Sequence, residues 1–434
     1  MTSNTRSTLR GSFTIVCALL IGATSLTAQD PASQQGVRIG LTYSSGTRPG
    51  VYILPMQGLD ADSIRAIIAR DLDFGDRVTV IAPDSGLPSA GQLNYALYAQ
   101  LGASAVLHLT PSTDGRLRAV LHEVSASRVL QSSYLELKGR PLSPEWRMSL
   151  HAAADEIERW VTGATGISAT RIMFVRGGTL WQVDSDGANE QRVPGVASGY
   201  EPSWHPTGRR VVYFEMLDDG THVVLRDLEN GNSRRVSTTG GTNSSATFSP
   251  NGLTIVYTSG EDGTDLYSVP VSGADRAMRI TVGGTTNAQP TFSPDGRRVA
   301  FTSSRLGRPE IYITDSDGTN AELLTTSGFG DQLYRADPSW SPDGRFVAFS
   351  TQIEGRFQIA TISLRDRSVK QHTIDGINED PSWAPDARHL VFTSSRSGSK
   401  QLWVLDTESG RMRQLTRGSA SRMAAWSPRL STSR

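Results

Sequence analysis

Phe292-Ser293-Pro294-Asp295-Gly296, with Arg298-Val299-Ala300-Phe301-Thr302-Ser303 just after it, decides the fold. Proline presets the first turn angle and glycine accepts the left-handed position, so the pentapeptide predicts a tight turn between strands. The hexapeptide is rich in the β-branched and aromatic residues that strands favour. Working outward, 289–293 reads as a first strand, 311–314 as a third, 315–318 as another turn and 322–325 as a short outer strand. The aromatic-x-Pro anchor recurs as Trp204-His205-Pro206, Phe248-Ser249-Pro250, Trp340-Ser341-Pro342, Trp383-Ala384-Pro385 and Trp426-Ser427-Pro428. Successive anchor prolines lie 44, 44, 48, 43 and 43 residues apart. A period in the low forties with short strands marks four-stranded propeller blades.

Second strands are expected near Ile172, Val211, Ile255, Val299, Val347 and Leu390, six to match six anchors. The first unit begins at Arg171 with no anchor before it, and the last anchor, Trp426, has no strand after it. Pairing 423–426 with 172–175 would complete a blade from both ends of the chain and remove an open edge. An open solenoid would need polar capping repeats, which the sequence lacks. Residues 167–434 therefore read as an all-β six-bladed β-propeller of WD40-like repeats. Asp386-Ala387 departs from the turn pattern by losing its glycine, and His205 takes the serine place of its anchor.

Residues 37–166 show no such period and read as a small N-terminal α/β domain. Strands are expected at 37–41, 51–54, 105–109, 117–124 and 129–137. Ile64, Ile67, Ile68 and Leu72 make one helical face. Ser89 and Gln92 fit a capping box before Leu93, Leu97 and Leu101, with Gly102 as the stop. Ser143-Pro144 starts a helix whose Trp146, Leu150, Ala154, Ile157 and Val161 share a face, and 163–166 links it to the propeller.

Arg6 and Arg10 precede an apolar run over 13–23, with Leu26-Thr27-Ala28 as a cleavage site, so 1–28 reads as a secretory signal peptide. The run is about half the length that spans a bilayer. The single cysteine, Cys17, lies within it and follows Val16 rather than the small residue a lipoprotein would need, so it leaves with the signal. Residues 29–36 are polar and form a mobile arm. Basic and acidic residues both number 43, and loss of the two arginines leaves the mature chain near −2. That balance excludes nucleic acid as a main partner, because phosphate binding needs a basic surplus.

Catalytic motifs are missing. The seven histidines, His108, His122, His151, His205, His222, His372 and His389, show no HExxH spacing, and one cysteine makes no zinc site. No Gly-x-Ser-x-Gly or Gly-rich loop followed by Lys appears. The Asp-x-Asp-Gly pieces at 184–187 and 315–318 fall where strand-joining turns are required and lack later acidic ligands, so they read as turns rather than calcium loops. No catalytic residue, cofactor or metal ligand is assigned, and an interaction role gains by elimination.

An exported α/β domain followed by six Ser-Pro-Asp-Gly-type blades resembles the TolB family of the Tol–Pal envelope system, with its PD40 repeats. The junction Ser149-Leu150-His151-Ala152-Ala153-Ala154-Asp155-Glu156-Ile157, then Thr162-Gly163, then Thr170-Arg171-Ile172, carries the likeness best. Arg48-Pro49-Gly50-Val51-Tyr52-Ile53-Leu54-Pro55, Val37-Arg38-Ile39-Gly40 and Leu101-Gly102-Ala103-Ser104-Ala105-Val106 add to it, although His108 stands where small residues are usual. The resemblance implies a periplasmic, non-enzymatic, monomeric adaptor, peripheral to membranes. Its propeller face would receive the peptidoglycan-associated lipoprotein Pal, and its N-terminal segment would be captured by the inner-membrane protein TolA. It would serve outer-membrane invagination in cell division, envelope integrity and protein import.

The segments before each anchor lead from one blade's outer strand to the next blade's inner strand and gather on one face near the channel. They supply Glu201, Thr242, Asn243, Ser245, Asn287, Ala288, Arg335, Asp337, Glu379 and Asp380 as candidate contacts for a Pal-like partner. Small polar donors with a few acids suit a hydrogen-bonding socket. The loop before Trp340 carries most of the extra length of its repeat. Gln34, Gln35, Val37, Arg38 and Ile39 join the arm to a strand-forming stretch and are the candidates for a TolA-like partner, through strand addition. Occupancy of the face is expected to change whether the arm is free, which would couple the two partners. Two other readings stand. One is a prolyl-oligopeptidase-like propeller, whose α/β-hydrolase domain does not appear before Arg434. The other is a propeller binding a small molecule or glycan in its channel, which predicts aromatic residues or clustered charges there.

Overall fold

The structure, a computed structural model, describes residues 48–430 apart from 59, 83–92, 239–240, 274–275, 283–285 and 326–332. The expected signal peptide, the arm, the strand at 37–41, Ser89, Gln92 and most of the long loop before Trp340 lie outside the described residues.

A small α/β region comes first. Its strands are β1 (Gly50–Ile53), β2 (Thr79–Ile81), β3 (Ala105–Pro111), β4 (Arg116–Glu123) and β5 (Arg128–Glu136), in the sheet order β2-β1-β3-β4-β5. The first three are parallel, and β3 to β5 form an antiparallel meander. Helices α1 (Ala61–Phe74) and α3 (Pro144–Thr162) lie together on one side of the sheet. There Ile64, Ile68, Leu72, Leu150, Ile157 and Val161 pack on Val51, Ile53, Leu107 and Leu121. Full burial of each such side chain contributes about 1.5–3 kcal/mol. The short helix α2 (Tyr95–Gln100) covers the other side through Tyr98 against Tyr52 and Val106. It starts later than the expected capping box, because the Asn94 side chain accepts from Leu97 N at 3.2 Å and caps the helix there. The three-residue β2 was not foreseen: it is too short to show alternation.

Six four-stranded blades follow. The inner strands are Tyr200–Trp204, Thr242–Phe248, Asn287–Phe292, Arg335–Trp340, Asn378–Trp383 and Ser421–Trp426, numbered here as blades one to six. Blade six is assembled from both ends: Ser421–Trp426 pairs antiparallel with Arg171–Arg176, with Trp426 opposite Ile172. The fourth position of each second strand is a buried ring, Phe174, Tyr213, Tyr257, Phe301, Phe349 and Phe392, each at most 3% exposed. These rings repeat with the anchors and fill the blade-to-blade spaces.

The anchor turn has a clear local cause. Ser293 Oγ donates to Asp295 Oδ1 at 2.6 Å and accepts from Arg298 N at 2.9 Å, while Gly296 takes φ 72°. Ser341 and Asp343 repeat this clamp. In blade one His205 Nδ1 and Thr207 Oγ1, 2.8 Å apart, stand in for the serine–aspartate pair. Both Asp-x-Asp-Gly pieces are tight turns, closed by Gly187 N to Asp184 O and Gly318 N to Asp315 O at 2.8 Å each.

The up-and-down strand order sorts the turns onto two faces. First-to-second and third-to-fourth strand turns lie on one face, and those of blades five and six receive the α/β region. Second-to-third turns and the connections between blades lie on the opposite face.

Candidate functional site

Each inner strand carries one extra residue relative to its partner, and at that bulge one residue adopts a left-handed backbone. These residues are Glu201, Ser245, Gln289, Asp337, Asp380 and Met423, with φ between 47° and 56°. A bulge re-aims side chains, and here it points one from every blade into the central channel. Proline follows at Pro202, Pro290, Pro338 and Pro381, where the ladder is already broken and no donor is missed. The six residues line a cavity of about 380 Å³.

The ring is acidic. Ser245 Oγ donates to Glu201 Oε2 at 2.6 Å, the Gln289 amide donates to Asp337, and Thr393 Oγ1 donates to Asp380 Oδ2 at 3.1 Å. Burial pushes the Glu201 carboxyl above its usual range, and Asp380 adds to this while Ser245 opposes it. Burial also raises Asp337, with Asp380 and Glu201 adding to it, and raises Asp380, with Glu379 adding to it. Burial and crowding together favour the protonated form of these three carboxyls, so a cation entering the channel would have to displace their protons.

Of the ten residues singled out for a Pal-like partner, Glu201, Ser245, Asp337 and Asp380 are channel residues. Ala288 lines a smaller cavity of about 260 Å³ beside them, with Tyr334. Thr242 is exposed, and Glu379 is paired with Lys400 at 2.5 Å. Asn243 and Asn287 are fully buried, and their amides are used within and between blades, by Thr221 O and Ser259 for one and by Asp265 and Ser303 for the other. Arg335 is 6% exposed and paired with Glu310 at 3.0 Å. These three present little to a partner. Gln34, Gln35, Val37, Arg38 and Ile39 lie outside the described residues.

Sequence reasoning missed Gln289 and Met423, and also the apolar rim. Met216, Leu217, Leu306, Tyr334, Ile374 and Ile377 are 40–75% exposed; Met216 and Leu217 end the second strand of blade one, Leu306 lies in a second-to-third turn, and the other three lie in inter-blade connections. They therefore share the face opposite the α/β region. Large apolar side chains in turns, where polar residues are usual, were the available signal.

The α/β region meets blades five and six through charged pairs, some buried and some at the edge of the contact. Arg411 bonds Asp76 at 2.8 Å and Asp73 at 2.7 Å, and Arg77 bonds Asp386 at 3.2 Å. Asp186 takes Arg147 at 2.6 Å and Arg70 as well. The link is pinned by Asp155, which accepts from Ser168 N at 2.7 Å and Ala169 N at 2.9 Å. Among the described residues no helix is long and apolar enough to cross a membrane.

Comparison with known proteins gives a consistent likeness. The TolB beta propeller domain family matches residues 158–430. The Tol-Pal system protein TolB of Methylococcus capsulatus is 32% identical over 204 residues, covering 43% of this chain and 47% of that protein. The protein of the same name from Bordetella parapertussis is 29% identical over 321 residues, covering 59% and 70%. The chain thus spans about half the length of the first curated relatives it matches. The crystal structure of TolB from Acinetobacter baumannii superposes with a TM-score of 0.75 over 88% of this chain and 97% of that one, at 23% identity, a likeness of fold.

Proposed function

Because the chain belongs to the TolB family, we propose that it works as a periplasmic adaptor of a Tol–Pal system, binding a folded Pal-like lipoprotein on the propeller face opposite the α/β region. The observation that carries this reading is the pairing of an apolar rim with the acidic inner-strand bulges, which meet where Tyr334 and Glu201 line one cavity. Apolar and aromatic anchors supply most of the energy of a protein interface, and a polar, charged centre selects the partner. The N-terminal segment with Gln34 to Ile39 would engage a TolA-like partner, and the joint action would support envelope integrity, outer-membrane invagination in division and protein import. The organisation that goes with this is a cleaved signal over 1–28, an arm over 29–36, an α/β domain over 37–166 and the propeller beyond. No catalytic role is proposed.

A pull-down from envelope extract tests the reading. The chain should recover an outer-membrane lipoprotein, and Leu306→Asp or Tyr334→Ala should lower recovery at least tenfold without loss of folding. Equal recovery by both variants would remove the face from the interface. The clustered carboxyls of Glu201, Asp337 and Asp380 also favour a second reading, a small cationic ligand in the channel. Recovery of small molecules alone, lost in Asp337→Asn, would favour that reading.

A further inference from the structure

Two histidines stand apart from the channel and from every proposed partner surface. His151, on α3, and His389, at the start of the second strand of blade five, are both 0% exposed. Their settings mirror one another. His151 Nδ1 lies 2.6 Å from Asp71 Oδ2 of its own α/β region, and its Nε2 faces Asp186 Oδ2 at 3.8 Å and Asp184 Oδ2 at 4.0 Å, both in a turn of blade six. His389 Nδ1 lies 2.8 Å from Asp386 Oδ2 of its own blade, and its Nε2 faces Asp76 Oδ2 of the α/β region at 3.4 Å. Each ring is thus anchored through Nδ1 at home and presents Nε2 to carboxylates across the interface.

We propose that His151 and His389 form a proton-operated latch that holds the α/β region on the propeller. In a neutral ring Nδ1 keeps its hydrogen for the home carboxylate, so Nε2 turns a lone pair toward oxygens that also carry lone pairs. Adding one proton makes Nε2 a charged donor, and the same contact becomes attractive. Two buried rings facing opposite ways across one interface therefore change from repelling to joining on protonation.

The surrounding groups set the window. Around His151 stand Asp71 and Arg70 on α1, Arg147 on the same helix, and Asp184 and Asp186 in the blade-six turn. Arg171 bonds Asp184 from behind at 3.0 Å, and Arg413 reaches Ser185 O from blade five at 2.9 Å. Among the described residues Asp71 has His151 as its only ion-pair partner, and its Oδ1 lacks a hydrogen bond. Around His389 stand Asp386, Arg388 and Asp406 of blade five, Arg411 just before its outer strand, and Asp76, Arg77 and Glu158 of the α/β region. Burial works against a charged ring at both places. Even so, Asp71, Asp186 and Asp184 hold His151 above the usual histidine range, and Asp386 and Asp76 hold His389 up at about 8. A raised histidine stabilises the closed interface fully below the ordinary value near 6.5 and loses that contribution as pH rises through its folded value. Asp76, Asp186, Asp386 and Asp406 are all lowered, burial notwithstanding, by these rings and by arginines, so acid releases them only below the usual carboxylate range. The latch is closed at neutral pH and opens above about 8. Glu158, pushed up to about 8 by burial and Asp155 with Arg77 opposing, titrates in the same direction. The test must separate it.

This inference does not rest on the partner reading. The full chain is followed by carbon-13 NMR of its histidines from pH 5 to 10, with His151→Gln and His389→Gln assigning the signals. His389 should titrate at about 8 and His151 above the ordinary histidine value, and values at or below about 6.5 for both would overturn the latch. Calorimetry supplies the coupling. At pH 6.5 the α/β region and propeller should unfold together, and at pH 9.5 the α/β transition should separate and fall by about 5 °C or more. A His151→Gln/His389→Gln chain should lose most of that pH response. Should it keep the whole response, Glu158 is responsible and the proposal fails. If the double variant does not fold, the wild-type titration and separation decide alone.

Discussion

Gly166 leaves no room for a side chain, because a Cβ there would lie 2.4 Å from Asp155 Oδ1 and 3.1 Å from Asp155 Cα. The carboxylate it would strike is the one that holds the link to α3, and burial keeps its pKa up at about 6 against the two backbone donors. Gly166→Ala is therefore predicted to destabilise by about 1–3 kcal/mol, the usual range for forced overpacking. Thermal unfolding measures it, and an unchanged Tm would show that the link can move aside. Ala387 is the opposite case. It takes φ 56° at the turn position where sister blades carry Gly296 and Gly344 at 72° and 74°. A left-handed backbone costs an L-residue about 1–2 kcal/mol, so Ala387→Gly should raise stability by up to about 1 kcal/mol. A lower Tm would mean that the Asp386 bonds to Arg388 N and His389 N need the alanine.

At the scale of elements, the anchor turn and the inner-strand bulge build the molecule six times over. Ser293→Ala removes the hydroxyl that clamps Asp295 and Arg298, and a loss of about 1 kcal/mol is expected in urea unfolding. No change would leave the turn to Pro294 and Gly296 alone. The turn was plain in the sequence because proline and glycine punctuate it directly. The bulge was not, and that decided which channel residues could be read. Glu201, Ser245, Asp337 and Asp380 were picked out, but Asn287 and Ala288 were chosen where Gln289 faces the channel. A one-residue difference in strand register sends every side chain to the other face. The residue before each inner-strand proline was the usable clue, and it fails for blades two and six, where alanine follows. The latch groups had no local signature: His389 and Asp76 are 313 positions apart and meet only in the folded chain. His151 and Asp155 nevertheless sat inside the junction motif that carried the family likeness, which gives that motif a physical reason, since it packs the helix, the link and blade six together.

For the whole molecule, closure of blade six is the decisive contact. Trp426 is 6% exposed, and its Nε1 donates to Thr170 Oγ1 at 2.8 Å, so the last strand is bolted to the first residues of the propeller. Trp426→Ala is predicted to cost about 3–5 kcal/mol, the usual price of a large buried ring, and to lower the propeller transition in calorimetry. A loss confined to blade six by hydrogen exchange would show that the ring tolerates an open seam. The same feature sets a schedule. Arg171 N and Ser427 Oγ bond across 256 residues of chain, so this seam is among the last contacts a folding chain can make. Five blades can be complete while the sixth still lacks its inner strand, so the edge of Arg171–Arg176 stays bare until Ser421–Trp426 docks on it. Long-range pairing of this kind is slow and prone to stray association. Until then the folding propeller is an open horseshoe, and Ser421–Trp426 acts as the clasp that ends its exposure to proteases and to other unfinished copies.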